Sequence, residues 1–385
     1  MQRCDIAVVG AGPAGLFAAS RLAAAGFRVA VFDGQMRIGE HAVCSGVIGE
    51  EAFLRFGLPS RSVLNRIFCF QAISPAGLRL EHRSPTPLAR VVDKAAFNQD
   101  LADLARSAGA DINLGSFVAA LRRERYGVSL VASGRDGSTR EVNAKVALVA
   151  SGVNSGLNME LGLVKPRKFL RAMQADIPLG QDGAANPTEL YVGRSVAPGA
   201  FGWKIPLGQG RVRLGLMADR DPRPYFEALA RRVAPELDLD RITPRQKAIC
   251  QVPVGGCVTD RIVAIGEAAC HVKTSTGGGI YYGLLSAEMA ADVVIGAFRK
   301  GDFSISTLGR FERLWRSAFG IELTAGYLAR KTAAQFSDNL IEKTFESANT
   351  MDLIRRLNGR LKFDWHHQAI ATSIRSLFAR ESTLG

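Results

Sequence analysis

No two of the six cysteines stand in a CxxC pair, and none falls at a metal-ligand spacing. Cys4, Cys44, Cys69, Cys250, Cys257 and Cys270 therefore read as reduced thiols of a cytosolic protein. His271 and the pair His366-His367 lack ligand partners at a suitable spacing, so neither a metal site nor a catalytic histidine is expected. No apolar run reaches the ~20 residues of a membrane span. Ile6 to Leu16 follows Arg3 and has the look of a signal peptide, but the glycines inside it read as part of a fold, so no cleavage and a cytoplasmic location are expected. There is no internal repeat, no low-complexity linker and no block of five or six Lys/Arg, although the net charge is +13. Charge spread this evenly gives no reason to expect a nucleic-acid partner. It suits anionic partners such as phosphorylated cofactors, diphosphates or an acidic membrane face.

What is present is a chain of 385 residues, 47% hydrophobic and 22% charged, which is globular composition for one large domain or two intimate ones. Residues 4–9 (CDIAVV) read as a buried parallel strand. Gly10, Gly12 and Gly15 follow it, then an alanine-rich helix to Ala25 with Gly26 placed to end it, then a second strand, 28–33, closing on Asp33. In this βαβ setting each glycine has a task. Gly10 permits the tight turn, Gly12 lets the backbone approach a pyrophosphate, and Gly15 lets helix and strand pack closely. Free amides and the helix dipole hold the phosphates, and Asp33 is placed to bind ribose hydroxyls. The unit alone does not decide between FAD and NAD. No second GxGxxG is present, so a dedicated NADPH domain is not expected.

Residues 93–108 carry apolar side chains at 97, 101, 104 and 105, a helical face with Asp93 as its N-cap. Segments 127–132, 141–150 and 261–265 read as strands, 190–217 as an antiparallel sheet, and the chain from Ser304 onward as mostly helical. A glycine run, 277–279, leads into a helix from about Ile280. Such glycines let amides approach a flat ligand, and the positive helix end behind them favours an anion there.

Several segments resemble the flavoprotein superfamily of aromatic hydroxylases and geranylgeranyl reductases. Gly266-Glu267-Ala-Ala is similar to its GDA motif, with Glu for Asp; Asp93-Lys94-Ala-Ala-Phe97-Asn98 to its DRxxFD, with Lys94 for Arg; and Ala150-Ser151-Gly152-Val-Asn-Ser155 to its ADGxxS, with Ser151 for the acid. The resemblance narrows to the geranylgeranyl reductase family. Val272 to Gly283 (VKTSTGGGIYYG) is close to that family's VKPTTGGGIYYAL run, Cys44-Ser45-Gly46 resembles its CGG/CSG segment near the flavin, and Phe201-Gly-Trp203-Lys-Ile-Pro206 its YxWxFP motif lining a lipid tunnel. Most of residues 1–300 is covered in order.

The resemblance implies an α/β protein with a discontinuous FAD domain (1–60, 90–155 and 255–298), an inserted antiparallel β-rich substrate domain (61–89 and 156–254) and a helical C-terminal segment (299–385). It implies FAD contacts at Gly10, Gly12, Ala14, Gly15, Asp33, Cys44, Ser45, Val47, Lys94, Val118, Glu267, Gly279 and Ile280, with Glu267 on the ribityl chain. Cys44, Tyr281 and Tyr282 are the catalytic candidates, and Phe201, Trp203 and Pro206 line the substrate side. The implied reaction is reduction of carbon–carbon double bonds in a polyprenyl lipid or diphosphate, with electrons from NAD(P)H or a small redox protein and contact with a membrane face allowed. Arg355-Arg356, Arg360 and Lys362 form a basic group suited to a head group, or a solvated helix face. Two other classes compete. One is an FAD monooxygenase or halogenase, because the segment 201–206 also partly matches the halogenase WxWxIP signature. The other is a lipid-binding or redox-sensing flavoprotein without turnover.

Overall fold

A computed structural model describes residues 2–153, 156–163, 168–180, 187–252, 255–350 and 363–366. Its centre is a six-stranded sheet in which Ile262–Ala264, Val146–Val149, Ile6–Val9, Val29–Phe32 and Asp111–Asn113 run parallel, with Val258–Thr259 antiparallel at one edge. Ile6–Val9, Val29–Phe32 and Val146–Val149 are buried at every position. A parallel sheet covered on both faces demands such unbroken apolar runs, which is why these segments do not alternate.

The helix Pro13–Ala24 begins with proline in its first turn, where the missing N–H costs nothing. It buries Gly15, Leu16, Ala18, Ala19, Leu22 and Ala23. The small residues allow close approach to the helix Ile280–Lys300: a Cβ on Gly266 would come within 2.8 Å of the Ala14 Cβ, and one on Gly283 within 3.6 Å. Lys94–Ser107 is capped by Asp93, whose carboxylate accepts from the Ala96 N–H at 2.8 Å. Its Phe97 and Leu101 are fully buried, each contributing about 1.5–3 kcal/mol.

Gly15 is the tightest point of this assembly. A Cβ there would fall on the Gly10 carbonyl oxygen and lie 3.1 Å from the Ala150 side chain. Gly15→Ala is therefore expected to destabilise the fold itself, by about 1–3 kcal/mol of overpacking, read as a lowered urea midpoint. An unchanged midpoint would mean the turn relaxes freely.

Three further sheets complete the α/β architecture. One is four-stranded (Gln2–Arg3, Thr139–Ala144, Gly127–Gly134, Ser116–Glu124) and one three-stranded (Val47–Gly49, Ala89–Val92, Val63–Ile67). The third has seven strands in the order Arg245–Cys250, Phe169–Pro178, Arg211–Ala218, Phe201–Gly208, Thr188–Val192, Cys69–Ile73, Arg79–Arg83. The segment expected as one strand, 141–150, is two: Thr139–Ala144 and Val146–Val149 lie in different sheets, and Lys145 carries the chain between them. Phe169–Pro178 and Arg245–Cys250 were not expected. Their pattern is half exposed and charged, and only pairing across the sheet makes them strands.

Helices follow at Ile305–Leu308, Arg310–Trp315, Ile321–Ala333 and Asp338–Thr350, with a π-helical turn at Arg316–Gly320. The basic group Arg355, Arg356, Arg360 and Lys362, along with His367 and Ser155, lies outside the described residues.

Two expectations are corrected. Cys250 and Cys270 are joined in a disulfide, whereas Cys4, Cys44, Cys69 and Cys257 are free. A separation of 20 residues carried no pairing signal; the bond exists because the last residue of an edge strand meets the turn that follows Gly266–Ala269. The helix Ile280–Lys300 is also long and apolar enough to cross a membrane by composition. It is apolar because it is the core helix, with Tyr282, Leu284, Ala287, Ala290, Ala291, Val294 and Ala297 fully buried.

Candidate active site

The glycine turn opens on the parallel sheet. Gly10 has φ +109, and a Cβ on it would strike the Ala150 backbone, so only glycine fits. Gly12 is the opposite case: a Cβ there meets nothing within 4 Å. Open space beside a helix N-terminus is a cradle for a pyrophosphate, and the FAD dinucleotide fits it. Asp33 accepts from the Ala11 N–H at 2.7 Å and the Gln35 N–H at 2.8 Å. A carboxylate has further lone pairs for ribose. The Asp33 carbonyl accepts from the Ser116 N–H, which starts the strand that carries buried Val118 past this end of the site.

The inner face of the seven-stranded sheet supplies what the sequence did not reveal. Gln174, Asp176, Arg213, Gly215 and Met217 share that face through the pairs Gln174–Gly215 and Asp176–Arg213. Gln174 Nε2 donates to the Cys44 carbonyl at 2.8 Å, and Arg213 Nη1 to the Ser45 carbonyl at 2.9 Å. Asp176 holds the Arg213 guanidinium at two points, 2.6 and 2.8 Å. Burial pulls the charge of Arg213 down, but Asp176 outweighs it and keeps its pKa raised. Gly46 has φ +74 and lies so close to Val92 and Arg213 that no side chain fits. The Cys44–Gly46 turn is thus bolted to the sheet from below. The Cys44 sulfur accepts from the Gly46 N–H at 3.4 Å, and Val47 begins the next strand.

On the far side the glycine run packs on the same sheet face. A Cβ on Gly277 would meet the Met217 sulfur at 2.9 Å and Ile249 at 3.3 Å. Glu267 Oε1 lies 3.0 Å from a Cβ position on Gly279, the residue preceding Ile280 at the helix start, and Glu267 Oε2 lies 3.9 Å from one on Gly152. Lys247, unforeseen from the sequence, grips Glu267 Oε1 at 2.7 Å. Burial lowers the Lys247 ammonium, but the Glu267 carboxylate overrides this and keeps its pKa raised.

Lys94 sits opposite, donating to Asn98 Oδ1. Burial pushes its ammonium down to about 8, against the pull of Cys44 and Glu267. Its charge is present below that pH and lost above it. FAD carries phosphate charge, so its affinity is expected to fall toward about tenfold per pH unit above pH 8. Lys94→Arg, charged throughout, is expected to give a flat profile. A titration of FAD affinity between pH 7 and 9.5 checks both; a flat wild-type profile would show that the Lys94 charge does not act on the bound cofactor.

The tyrosines are placed otherwise than a flavin-facing role requires. Tyr281 donates to Glu51 Oε1 and Tyr282 to the Asp364 carbonyl, and both rings pack with Trp365. Burial first, then nearby carboxylates, raises both hydroxyl pKa values. Asp364 belongs to a short segment, Phe363 to His366, that is anchored by a buried pair with Lys273 at 3.1 Å. His271 is enclosed by Phe311, Trp315 and Phe319, and burial lowers it to about 3. No group of three metal-ligating side chains occurs among the described residues.

Trp203 and Phe201 alternate onto the inner sheet face, their rings 6.1 Å apart. They join Leu170, Ala172, Ile205, Leu207 and Met217 in one apolar cluster, with Val91 and Val47 opposite. Trp203 is 6% exposed, and its Nε1 is buried without a partner. Its ring covers Gly215, where a Cβ would meet it at 2.6 Å, beside Gln174. Pro206 falls on the alternate side of the strand, its carbonyl accepting from Asn65 Nδ2 at 3.1 Å.

Comparison with known proteins agrees with this geometry. A model of the NAD(P)-binding Rossmann-like domain matches residues 8–59. The chain is 28% identical over 363 residues to the digeranylgeranylglycerophospholipid reductase of Methanospirillum hungatei, covering 91% of this chain and 90% of that one. It is 28% identical over 372 residues to digeranylgeranylglycerophospholipid reductase 2 of Methanopyrus kandleri, covering 92% and 93%. A geranylgeranyl bacteriochlorophyll reductase-like protein of Thermoplasma acidophilum has the same fold at TM-score 0.83 and 21% identity, over 90% and 91% of the two chains. A flavin-dependent brominase shares the fold at TM-score 0.74 and 16% identity, over 99% and 100%.

Fold and cradle together are those of a Rossmann-type flavoprotein that holds FAD. Along most of its length the chain is similar to proteins named as geranylgeranyl-type lipid reductases.

Proposed function

We propose that this protein adds hydrogen across carbon–carbon double bonds of a polyprenyl lipid. The observation that carries the reading is the apolar sheet face of Trp203, Ile205, Leu207, Leu170 and Met217, which runs up to the Cys44–Gly46 turn. An unactivated alkene offers nothing for hydrogen bonds to hold, so only shape and exclusion of water can position it. The names of the relatives point to an isoprenoid glycerophospholipid as the class of substrate. The brominase likeness extends to the fold and supplies no reason to prefer halogenation.

Bound FAD supplies the hydride. The inner face of the seven-stranded sheet, with Trp203, Ile205, Leu207, Leu170 and Met217, forms the wall against which the prenyl chain lies. Gln174 and Arg213 fix the Cys44 turn, so the Cys44 thiol is held at the boundary between cofactor and chain. In this reading it is the proton source for the second alkene carbon. Electrons arrive from NAD(P)H or a small redox protein at the same flavin. The enzyme works against a membrane face, and its +13 charge favours contact with an anionic lipid surface.

The test is mass spectrometry of geranylgeranylated lipids incubated with dithionite-reduced protein. Mass gains in steps of two hydrogens are expected. Oxygen consumption with an aromatic compound and no hydrogen gain would replace this reading with a monooxygenase.

A further inference from the structure

The acid of the flavin motif is one methylene longer here, Glu267 where the resembled family carries Asp, and the extra reach is used. Its carboxylate meets an ammonium that comes from the seven-stranded sheet. Lys247 stands on the edge strand Arg245–Cys250, paired to Ala172, and therefore on the same sheet face as Leu170 and Trp203. It crosses to Glu267 Oε1 at 2.7 Å, while that same oxygen lies against Gly279 at the start of the helix Ile280–Lys300. Three residues on from each partner, Cys250 and Cys270 are joined covalently, so the two backbones that present the pair are locked together. Lys94 and Cys44 both lie within electrostatic reach of it.

We propose that Lys247 is a positioning residue for the flavin: its ion pair holds the Glu267 carboxylate at the helix start, cancels its charge, and so sets how readily the bound flavin takes up electrons. The physical reason is Coulombic. Reduction adds negative charge to the flavin, and an uncancelled carboxylate beside it opposes that. The helix N-terminus alone supplies about half an elementary charge, not enough to offset a full one. Lys247 makes the long acid tolerable there. The proposal rests on the flavin assignment and is independent of the prenyl substrate.

The experiment is anaerobic photoreduction of the FAD-loaded protein together with a reference dye, reading the ratio of reduced to oxidised flavin at a fixed dye poise. Lys247→Met is expected to lower that ratio about tenfold, the effect of one uncompensated charge at this range. Lys247→Arg is expected to stay near wild type. Glu267→Gln, which leaves the ammonium uncancelled, is expected to raise the ratio. The double variant, Lys247→Met with Glu267→Gln, removes both charges and is expected to return it to wild type. Lys247→Met with full FAD and an unchanged ratio overturns the proposal, as does a double variant as low as the single. If Lys247→Met fails to hold FAD, Glu267→Gln decides: an unchanged ratio there also overturns it. Failure to hydrogenate prenyl lipids would leave these ratios untouched, so the two readings fail separately.

Discussion

Gly12→Val is expected to give a folded, colourless protein, where the wild type is yellow with non-covalent FAD. A Cβ at this position meets no atom of the chain within 4 Å, and the φ of −80 suits any residue. A Cβ there meets open space, the space the ligand would occupy. The pyrophosphate must come within hydrogen-bond distance of the amides at the start of Pro13–Ala24, and a branched side chain stands in that space. Losing two hydrogen bonds to a charged group, each worth roughly 1.5–3 kcal/mol, lowers FAD affinity at least ~100-fold. The check is flavin released by denaturation, quantified against protein, beside an unfolding curve. Full FAD in a folded variant would show that the turn at 10–15 does not hold the cofactor. Release of FMN from the wild type would be equally damaging. The contrast with Gly15→Ala, which should weaken the fold, separates two glycines of one motif.

Trp203→Ala is expected to slow transfer to the prenyl chain by ~100-fold, the order of loss for an ångström of misplacement at the reacting centre. Flavin reduction should stay within about twofold, since no contact of Trp203 is made only in that half-reaction. The ring fills the sheet face over Gly215 and beside Gln174, so its removal both widens the apolar channel and admits water. Removing a tryptophan this buried also costs about 3–5 kcal/mol, and Trp203→Phe therefore serves as the bulk-retaining companion. Stopped-flow measurement of both half-reactions decides. If both slow equally in the folded variants, Trp203 belongs to the core or to the cofactor and the channel assignment falls.

The parallel sheet and its glycine turn were legible because their signal is local. Strand, turn, helix and acid follow one another within 33 residues, and each glycine is required by the backbone beside it. The N-cap at Asp93 and the helix after the 277–279 run were legible for the same reason. Tyr281 and Tyr282 show the limit. Their place in the run was readable, but their hydroxyls are taken by Glu51, 230 residues away, and by the Asp364 backbone, 82 residues away.

By itself the sequence determined the dinucleotide unit and the aromatic strand at 201–206, because each is written in contiguous residues whose spacing a backbone satisfies in few ways, whereas FAD rather than NAD was implied by the resemblance of several separate segments. Only the tertiary structure decided which polar groups meet the Cys44 turn, which cation answers Glu267, and which two cysteines join. Gln174, Arg213 and Lys247 lie on strands whose local pattern is unremarkable, and Cys250 and Cys270 have no spacing to announce them. Electrostatic and covalent partners are chosen by distance in space, and a sheet brings together residues whose separation along the chain carries no trace of that choice.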